Sequence, residues 1–257
     1  MSAVALMMRD AGHEVSGSDE DVFPPMSTYV EGLGFPFHRR FDAANLPDPL
    51  DALVLGASAK LGGESNPEVI AARARGVRIT TFPEMLGETT RERHVTVVAG
   101  SFGKSTCAAL MAHILAEAGA DPGWMVGAIS PSLPATGRWG AGPMVLEGDE
   151  YVVSGADRRS KFQLYHPDGL LLTSLIHDHV NVFPTFADYE APFIELLGRP
   201  PADGLVVLRD HPALRAIAGN ARARVVWYGG EESAGWSSRN PQFGEQTSFE
   251  LVGPDGV

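Results

Sequence analysis

Residues 100–106 have the types and spacing of a phosphate-binding loop, and they read GSFGKST. They follow the apolar stretch 94–99, a predicted strand, and precede a predicted helix at 105–118. Glycines let backbone amides approach phosphate oxygens, and the amino end of a helix presents unpaired N–H groups and a partial positive charge. Lys104 is placed to reach the β- and γ-phosphates, and Ser105 to ligate magnesium. The pattern predicts an ATP site with magnesium, built from Gly100, Ser101, Phe102, Gly103, Lys104, Ser105 and Thr106.

This loop is shorter than the general pattern G-x-x-x-x-G-K-[ST], because position 98 is Val. The alternative interpretation is a glycine-rich turn that contains a lysine by chance. The strand before the loop and the amphipathic helix after it favour phosphate binding.

Carboxylates form a second cluster directly after the apolar run 143–146, with Glu147 and Glu150 as its glutamates. Open α/β sheets build their ligand crevice at the carboxyl ends of strands. Magnesium takes oxygen ligands there, often one or two carboxylates together with substrate phosphates. We therefore predict that this cluster, which also contains Asp149, supplies metal ligands beside the loop. The alternative is an acidic turn that faces water.

Two histidines flank an aspartate after the predicted strand 169–174, in the order His177, Asp178, His179. At the same edge of a sheet they could supply another metal or phosphate contact. The alternative is that they are ordinary polar loop residues. Zinc is disfavoured, because no third nitrogen or sulfur ligand stands at a suitable spacing.

The densest basic patch is the segment 157–162, which reads DRRSKF and includes Arg159 and Lys161. It is either a solvated turn or the local cation that stabilises an anionic substrate or a developing acyl phosphate. On the second interpretation, Arg159 and Lys161 are predicted to contact the substrate.

Short apolar runs alternate with helical patterns along the whole chain, which is typical of a parallel α/β sheet. Before the loop we predict helices at 2–11 and 28–33, a helix capped by Asn66, and strands at 13–17, 51–56 and 77–81. The polar segment 87–93 is interpreted as the break between two domains, 1–90 and 91–257. After the loop, strands are predicted near 123–127, 143–148, 169–174, 204–208 and 224–228, and residues 229–241 as loop.

Composition narrows the function further. The 257 residues are 44% apolar and carry a net charge of −12, which disfavours nucleic acid as a partner. The single cysteine excludes an intramolecular disulfide and a cysteine zinc cluster. The apolar start is too short for a membrane span and lacks a basic leader, so we expect a cytoplasmic protein without membrane contact.

The order of the three motifs resembles the Mur ligase family of cell-wall synthesis. The loop is similar to G-[TS]-x-G-K-[TS]-T, the segment 147–151 to E-x-D-E-Y, and Asp178-His179 to the D-H pair after a strand. Residues 12–19 are similar to the family's UDP-muramoyl-binding domain.

Three further segments resemble the murein-tripeptide recycling branch of this family: 22–28, 66–68 and 157–162. Members of that branch join UDP-N-acetylmuramate to the tripeptide L-alanyl-γ-D-glutamyl-meso-diaminopimelate in peptidoglycan recycling. The chemistry implied by the resemblance is phosphorylation of the muramate carboxylate by ATP, followed by attack of the peptide amine on the acyl phosphate.

The resemblance also implies a fold and a set of roles. It implies a Rossmann-like domain without its first strand at 1–90, and an incomplete phosphate-loop α/β ATPase domain at 91–257, both mainly parallel. Carried over to this sequence, the resemblance implies catalytic roles for Lys104, Glu147 and His179. It implies that magnesium is bound by Ser105, Glu147 and Glu150, and that His179 contacts a second magnesium ion. It also implies that Ser18 and Asp19 contact the uridine nucleotide.

Some positions depart from the family. The usual Thr-His of the loop is Ser101-Phe102, the last acid of E-A-D-E-Y-D is Val152, and an asparagine expected near Ser174 is replaced. Met1 aligns just past the family's first glycine loop, and the chain stops before its third domain. We therefore expect a chain truncated at both ends, with weak or absent ligase activity. The L-alanine-adding ligase, a non-catalytic ATP- or UDP-sugar-binding remnant and a generic phosphate-loop kinase remain as alternatives.

Overall fold

The structure is a computed structural model that describes residues 1–56, 65–230 and 235–255. Up to residue 90, helices alternate with short strands: α1 (Ser2–Asp10), β1 (Gly17–Ser18), α2 (Met26–Glu31), β2 (Phe37–His38), β3 (Ala52–Leu55), α3 (Pro67–Ala74), β4 (Arg78–Thr81) and α4 (Phe82–Thr89). β1 pairs with β2 and β3 pairs with β4, in two separate two-stranded parallel sheets.

Local chemistry explains where these elements begin. The Asn66 side chain accepts hydrogen bonds from the backbone N of Glu68 (2.9 Å) and Val69 (3.4 Å), so the predicted cap of α3 is confirmed. The predicted strand 13–17 is wrong for residues 13–16. There His13 N still donates to Met8 O (3.0 Å), so the backbone is completing the last turn of α1.

The polar segment 87–93 is helical in its first part, because α4 continues to Thr89. A capping box starts this helix directly after β4: the Glu84 carboxylate accepts from both Thr81 N and Thr81 Oγ1 at 2.8 Å. Leu86 then anchors the helix in the core with no exposed surface. Capping and one buried face therefore outweigh the missing apolar period.

From residue 95 onward the elements are β5 (Val95–Ala99), α5 (Lys104–Glu117), β6 (Gly123–Met125), β7 (Gly137–Arg138), β8 (Met144–Glu147), β9 (Gly169–Leu172), α6 (Phe186–Leu197), β10 (Leu205–Arg209), α7 (Pro212–Ile217), β11 (Arg224–Gly229), β12 (Trp236–Gln242) and β13 (Ser248–Val252). The strands form one nine-stranded sheet in the order β13-β12-β11-β10-β9-β5-β8-β6-β7. Only the β6–β7 and β12–β13 pairs are antiparallel. The predicted α/β class with mainly parallel sheets is confirmed.

Both faces of the central strands are buried, as the uninterrupted apolar runs predict. On one face, α5 packs small side chains such as Ala108 and Ala112 against Val98 and Val145. On the other face, a larger cluster forms with α1 and α6: Met7, Val97, Leu146, Phe162, Leu172 and Phe193 are among its members. Within the described residues, no helix has both the length and the apolar composition to cross a bilayer.

The N-terminal elements contact the sheet at β7. A Cβ placed on Gly137 would lie 2.0 Å from Ala3 O, so only glycine allows α1 to pack this closely. The Tyr29 hydroxyl accepts from Thr136 N (2.9 Å) and lies 3.1 Å from its Oγ1. These contacts place α1 and α2 beside the edge of the nine-stranded sheet.

Residues 229–241 are not simply loop. Residues 231–234 lie outside the described residues, but β12 begins at Trp236 and pairs with β11 and β13. Most of its side chains are exposed, so it lacks the apolar alternation that marks a half-buried strand. β12 is held by backbone pairing with β11 and β13, which side-chain composition does not reveal. The composition therefore predicts loop where a strand forms.

Candidate functional site

The sheet order brings the three predicted motifs together. β5 lies between β8 and β9, and all three strands are parallel. Their carboxyl ends therefore meet at one edge, where Val98 is in register with Glu147 and Ala99 with Leu172. The loop after β5, the carboxylates after β8 and the histidines after β9 all leave the sheet there.

The loop after β5 depends on glycine at two positions. Gly100 has φ +131° and Gly103 has φ +81°, both in the region that side chains rarely adopt. A Cβ on Gly100 would also lie 2.4 Å from Thr173 Oγ1 and 2.8 Å from Ser174 N. The chain then enters α5 at Lys104, so the backbone amides at the start of a 14-residue helix face the loop.

Lys104 is the cation of this site. Its Nζ donates to Gly100 O (2.7 Å) and Ser101 O (3.3 Å), and it lies 3.1 Å from Oε1 and 2.9 Å from Oε2 of Glu150. The Glu150 side chain is only 2% exposed and that of Lys104 16%. Burial raises the pKa of Glu150, and the Lys104 charge opposes that rise.

Ser105 faces the other glutamate. Its Oγ donates to Glu147 Oε1 (2.8 Å), and the backbone N of Gly127 donates to Oε2 (2.7 Å). Glu147 is buried at the end of β8, so its carboxylate is held by two neutral donors rather than by an ion pair within the described part of the chain. The serine that is predicted to ligate magnesium therefore already contacts a predicted carboxylate ligand.

The two histidines have different surroundings. His179 has φ +51° and its Nε2 lies 3.2 Å from Glu150 Oε1, with its ring packed edge-on against Tyr151. His177 instead contacts Phe183 O through Nε2 (2.8 Å) and packs against the Tyr189 ring. Glu150 thus contacts both Lys104 and His179, while His177 contacts the segment that leads into α6.

The donor set fits magnesium bound together with phosphate oxygens. Ser105 and Glu147 supply hard oxygen atoms, and Oε2 of Glu150 is buried without an aligned hydrogen-bond donor among the described residues. Protein side chains alone do not complete a site: in residues 1–56, 65–230 and 235–255, no group of three or more His, Cys, Asp or Glu is arranged to hold a metal ion. Magnesium commonly binds through one or two carboxylates and substrate phosphates, so two separate carboxylates beside a phosphate loop suit it.

Ser101 anchors the loop in a way that the motif does not predict. Its Oγ donates to Ile176 O and accepts from Ile176 N, both at 2.8 Å, and accepts from the Tyr189 hydroxyl at 2.9 Å. Phe102 N donates to Ser174 Oγ (2.8 Å), while the Phe102 ring stays 57% exposed. Ser174 and Tyr189 therefore position the loop from 72 and 88 residues away.

The two members of the basic patch point to different places. Lys161 is 7% exposed, and its Nζ lies 2.5 Å from Asp149 Oδ2, in the same turn as the predicted metal ligands. It also lies 5.6 Å from the centroid of the Tyr151 ring. Arg159 is largely exposed and forms a two-pronged ion pair with Asp157. Lys161 therefore contacts the turn formed by residues 147–151, here called the carboxylate turn, and Arg159 does not.

The predicted uridine contacts lie at the end of β1. Ser18 Oγ donates to the buried Glu68 carboxylate (2.7 Å), which also accepts from Asn45 Nδ2 (2.8 Å). Asp19 is exposed, and its carboxylate accepts from Asp21 N (3.1 Å). The hydrogen bond from Ser18 to Glu68 orients its hydroxyl, and the Asp19 carboxylate is open to solvent.

Two family models match the chain. The model for the Mur ligase family, catalytic domain, matches residues 1–94, and that for the Mur ligase middle domain matches residues 98–256. Together they include the phosphate loop, the carboxylate turn and the histidines.

Similar proteins fall into two groups by name. The UDP-N-acetylmuramate–L-alanyl-gamma-D-glutamyl-meso-2,6-diaminoheptandioate ligase of Escherichia coli is 33% identical over 209 residues, which are 80% of this chain and 45% of that protein. The UDP-N-acetylmuramate–L-alanine ligase of a Roseiflexus species is 36% identical over 245 residues, 94% of this chain and 48% of that protein. This chain thus spans about half the length of the curated relatives it matches.

A solved structure shares the fold over nearly the whole chain. It is the crystal structure of UDP-N-acetylmuramate:L-alanyl-gamma-D-glutamyl-meso-diaminopimelate ligase from Neisseria meningitides, with a TM-score of 0.84 and 29% identity. The match covers 99% of this chain and 81% of that one.

Proposed function

The chain belongs to the Mur ligase family, and from this premise we propose that it takes part in ATP-dependent amide bond formation in peptidoglycan metabolism. The proposed substrates are UDP-N-acetylmuramate and the murein tripeptide L-alanyl-γ-D-glutamyl-meso-diaminopimelate. One observation carries the proposal: Lys104 and Ser105, on a glycine loop at a helix start, each contact a buried carboxylate from the neighbouring strand.

ATP would bind with its phosphates against the backbone amides that begin α5. Lys104 would exchange its contacts with Gly100 O and Ser101 O for phosphate oxygens, since its ammonium group already lies at the loop. Ser105, Glu147 and Glu150 would hold magnesium, which when bound neutralises charge on the transferred phosphoryl group.

The reaction transfers the γ-phosphoryl group of ATP to the muramate carboxylate and releases ADP. The peptide amine then attacks the acyl carbon, the C–O bond to phosphate breaks, and phosphate leaves as the amide forms. This chemistry depends mostly on positioning and charge neutralisation. Lys104 would oppose the charge on the phosphoryl oxygens, and His179 would contact the same centre through Glu150.

Four residues are proposed to contact the substrate. Ser18 and Asp19 would face the uridine nucleotide, and Lys161 and Arg159 the anionic muramate or peptide end. Lys161 lies nearer to the predicted metal ligands, because its Nζ contacts Asp149 in the turn 147–151. Arg159 would first have to release Asp157, which holds it in a two-pronged ion pair.

The incoming amino substrate is the finer part of the proposal. Segments 22–28, 66–68 and 157–162 resemble the tripeptide branch. Addition of L-alanine is the second candidate, because the identity to an L-alanine ligase, 36%, is similar to the 33% found for a tripeptide ligase.

A phosphate-release assay tests both points. The chain is incubated with ATP, magnesium and UDP-N-acetylmuramate, and phosphate release is measured with tripeptide, with L-alanine and without acceptor. Any release by this chain, which we expect to be weak at most, should depend on tripeptide and be lost in Lys104→Met. The control variant Arg222→Gln also removes one positive charge, but from an exposed residue outside the site. It should leave the rate of phosphate release unchanged.

The outcomes separate the candidates. Release that depends on L-alanine instead of tripeptide would support the second candidate. Absence of release with both acceptors, together with calorimetric binding of ATP and UDP-N-acetylmuramate, would assign this chain a binding role and refute catalysis by it alone.

A further inference from the structure

A polar cavity lies at the opposite edge of the nine-stranded sheet from the phosphate loop. Its volume is about 280 Å³, and its walls are Arg91, Tyr165, His166, Pro167, Asp168, Arg199 and Pro201. Asp168 directly precedes β9, and Arg91 lies four residues before β5. β5 is five residues long, so this cavity and the loop are separated by roughly 16 Å of strand.

The cavity gathers positive charge in a chain whose net charge is −12. Arg91 forms no ion pair within the described ranges, and it is an exposed residue of the cavity wall. Arg199 donates to Tyr165 O (3.3 Å) and pairs with Glu195, while its Nε has no hydrogen-bond partner among the described residues. One guanidinium is thus free and the other is incompletely satisfied.

The acid in the cavity wall is already engaged. Asp168 Oδ2 accepts from Val95 N (2.8 Å) and lies 3.7 Å from His94 Nδ1. The pKa of His166 is lowered mainly by burial, and the charges of Arg91 and Arg199 lower it further. Two positive charges of the cavity wall, those of Arg91 and Arg199, thus act on His166.

We propose that Arg91, Arg199 and His166 bind a small phosphate-type oxyanion in this cavity. Guanidinium groups suit such a ligand, because their planar N–H donors match phosphate oxygens in pairs. The volume lies near the lower end of the range for small-molecule sites, so it suits a free phosphate ion or a small phosphate ester. No assigned role uses these residues, and the site does not depend on the ligase function proposed above.

His166 provides a local probe that does not report on the phosphate loop. NMR titration of histidine signals is recorded at constant ionic strength with and without inorganic phosphate, and His166→Gln assigns the signal. A bound dianion within contact distance should raise the pKa of His166 by about 1 unit. In Arg91→Gln without phosphate, the pKa of His166 should also rise, because a repulsive charge is gone.

Two variants locate the binding. Arg91→Gln should require at least about tenfold more phosphate for the same response of His166, the factor expected for the loss of one charge-assisted hydrogen bond. The double substitution Lys104→Met/Glu150→Gln removes the cation of the loop and should leave the response of His166 intact. A thermal melt of each variant checks that it is folded.

Two results would overturn the proposal: a pKa of His166 that phosphate does not change, or a response in folded Arg91→Gln that needs no more phosphate than in the unsubstituted chain. Within the proposal, the source of the oxyanion is decided by comparing inorganic phosphate with glycerol 3-phosphate. The one that shifts His166 at the lower concentration is the better ligand.

Discussion

Replacing Lys104 by methionine removes the ammonium group that faces the buried Glu150 carboxylate. Glu150 is 2% exposed and cannot be hydrated in place, so it would remain an uncompensated charge. Removing one partner of a buried pair costs about 3–5 kcal/mol. Lys104 keeps 16% of its side chain exposed, and His179 Nε2 lies 3.2 Å from Oε1. We therefore expect the lower end of the range, about 3 kcal/mol of the free energy of unfolding.

A double-mutant cycle isolates the pair. Glu150→Gln alone should cost only about 1 kcal/mol, because Lys104 keeps its two backbone acceptors and the amide is neutral. Lys104→Met/Glu150→Gln should cost about 1.5 kcal/mol, which gives a coupling energy of about 2.5 kcal/mol.

Lys161 offers a matched control. It is the other described lysine, and its partner Asp149 has a side chain that is 42% exposed and can be hydrated when the lysine is lost. Lys161→Met should therefore cost about 1 kcal/mol or less.

The measurement is urea unfolding at pH 8 and at pH 5.5. Burial raises the pKa of Glu150, and loss of Lys104 raises it further, so more of the folded variant carries a proton on this carboxyl group at pH 5.5 than at pH 8. When folding raises the pKa of a group, proton uptake stabilises the folded state at low pH, and this stabilisation is lost as pH rises through the raised pKa. The loss in free energy of unfolding caused by Lys104→Met should therefore be larger at pH 8 than at pH 5.5. The reasoning is refuted if Lys104→Met costs less than about 1 kcal/mol at pH 8 and the cycle shows no coupling.

Three further features are tested by substitution and thermal or urea unfolding. Glu84→Ala removes the capping box of α4 and should cost about 1 kcal/mol; an unchanged midpoint contradicts this. Gly87→Ala places a Cβ 2.1 Å from Leu164 O and should cost about 2–3 kcal/mol, whereas Gly155→Ala, with no atom within 4 Å, should be neutral. Because the pKa of His166 is lowered, stability should rise from about pH 5 to pH 7, and less so in His166→Gln.

Local signals in the sequence were sufficient for much of the fold and site. The Asn66 cap and the glycines at 100 and 103 act within a few residues, so their chemistry can be read directly. Uninterrupted apolar runs indicated buried parallel strands and therefore the edge at which Glu147 and Glu150 emerge. The prediction failed for residues 13–16 and for β12, where a helix turn and backbone pairing override weak side-chain patterns.

Only the tertiary structure decided which side chains meet. The sequence by itself determined an α/β chain with a phosphate loop, acidic turn and histidines in a recognisable order. The order of motifs along the chain does not show which strands are adjacent in the sheet. Strand adjacency brings Ser101 into hydrogen-bond contact with Tyr189, 88 residues away, and places Glu150 between Lys104 and His179. The positive cavity around Arg91 was invisible for the same reason: its residues are distant in the sequence, and packing at the amino ends of β5 and β9 brings them together.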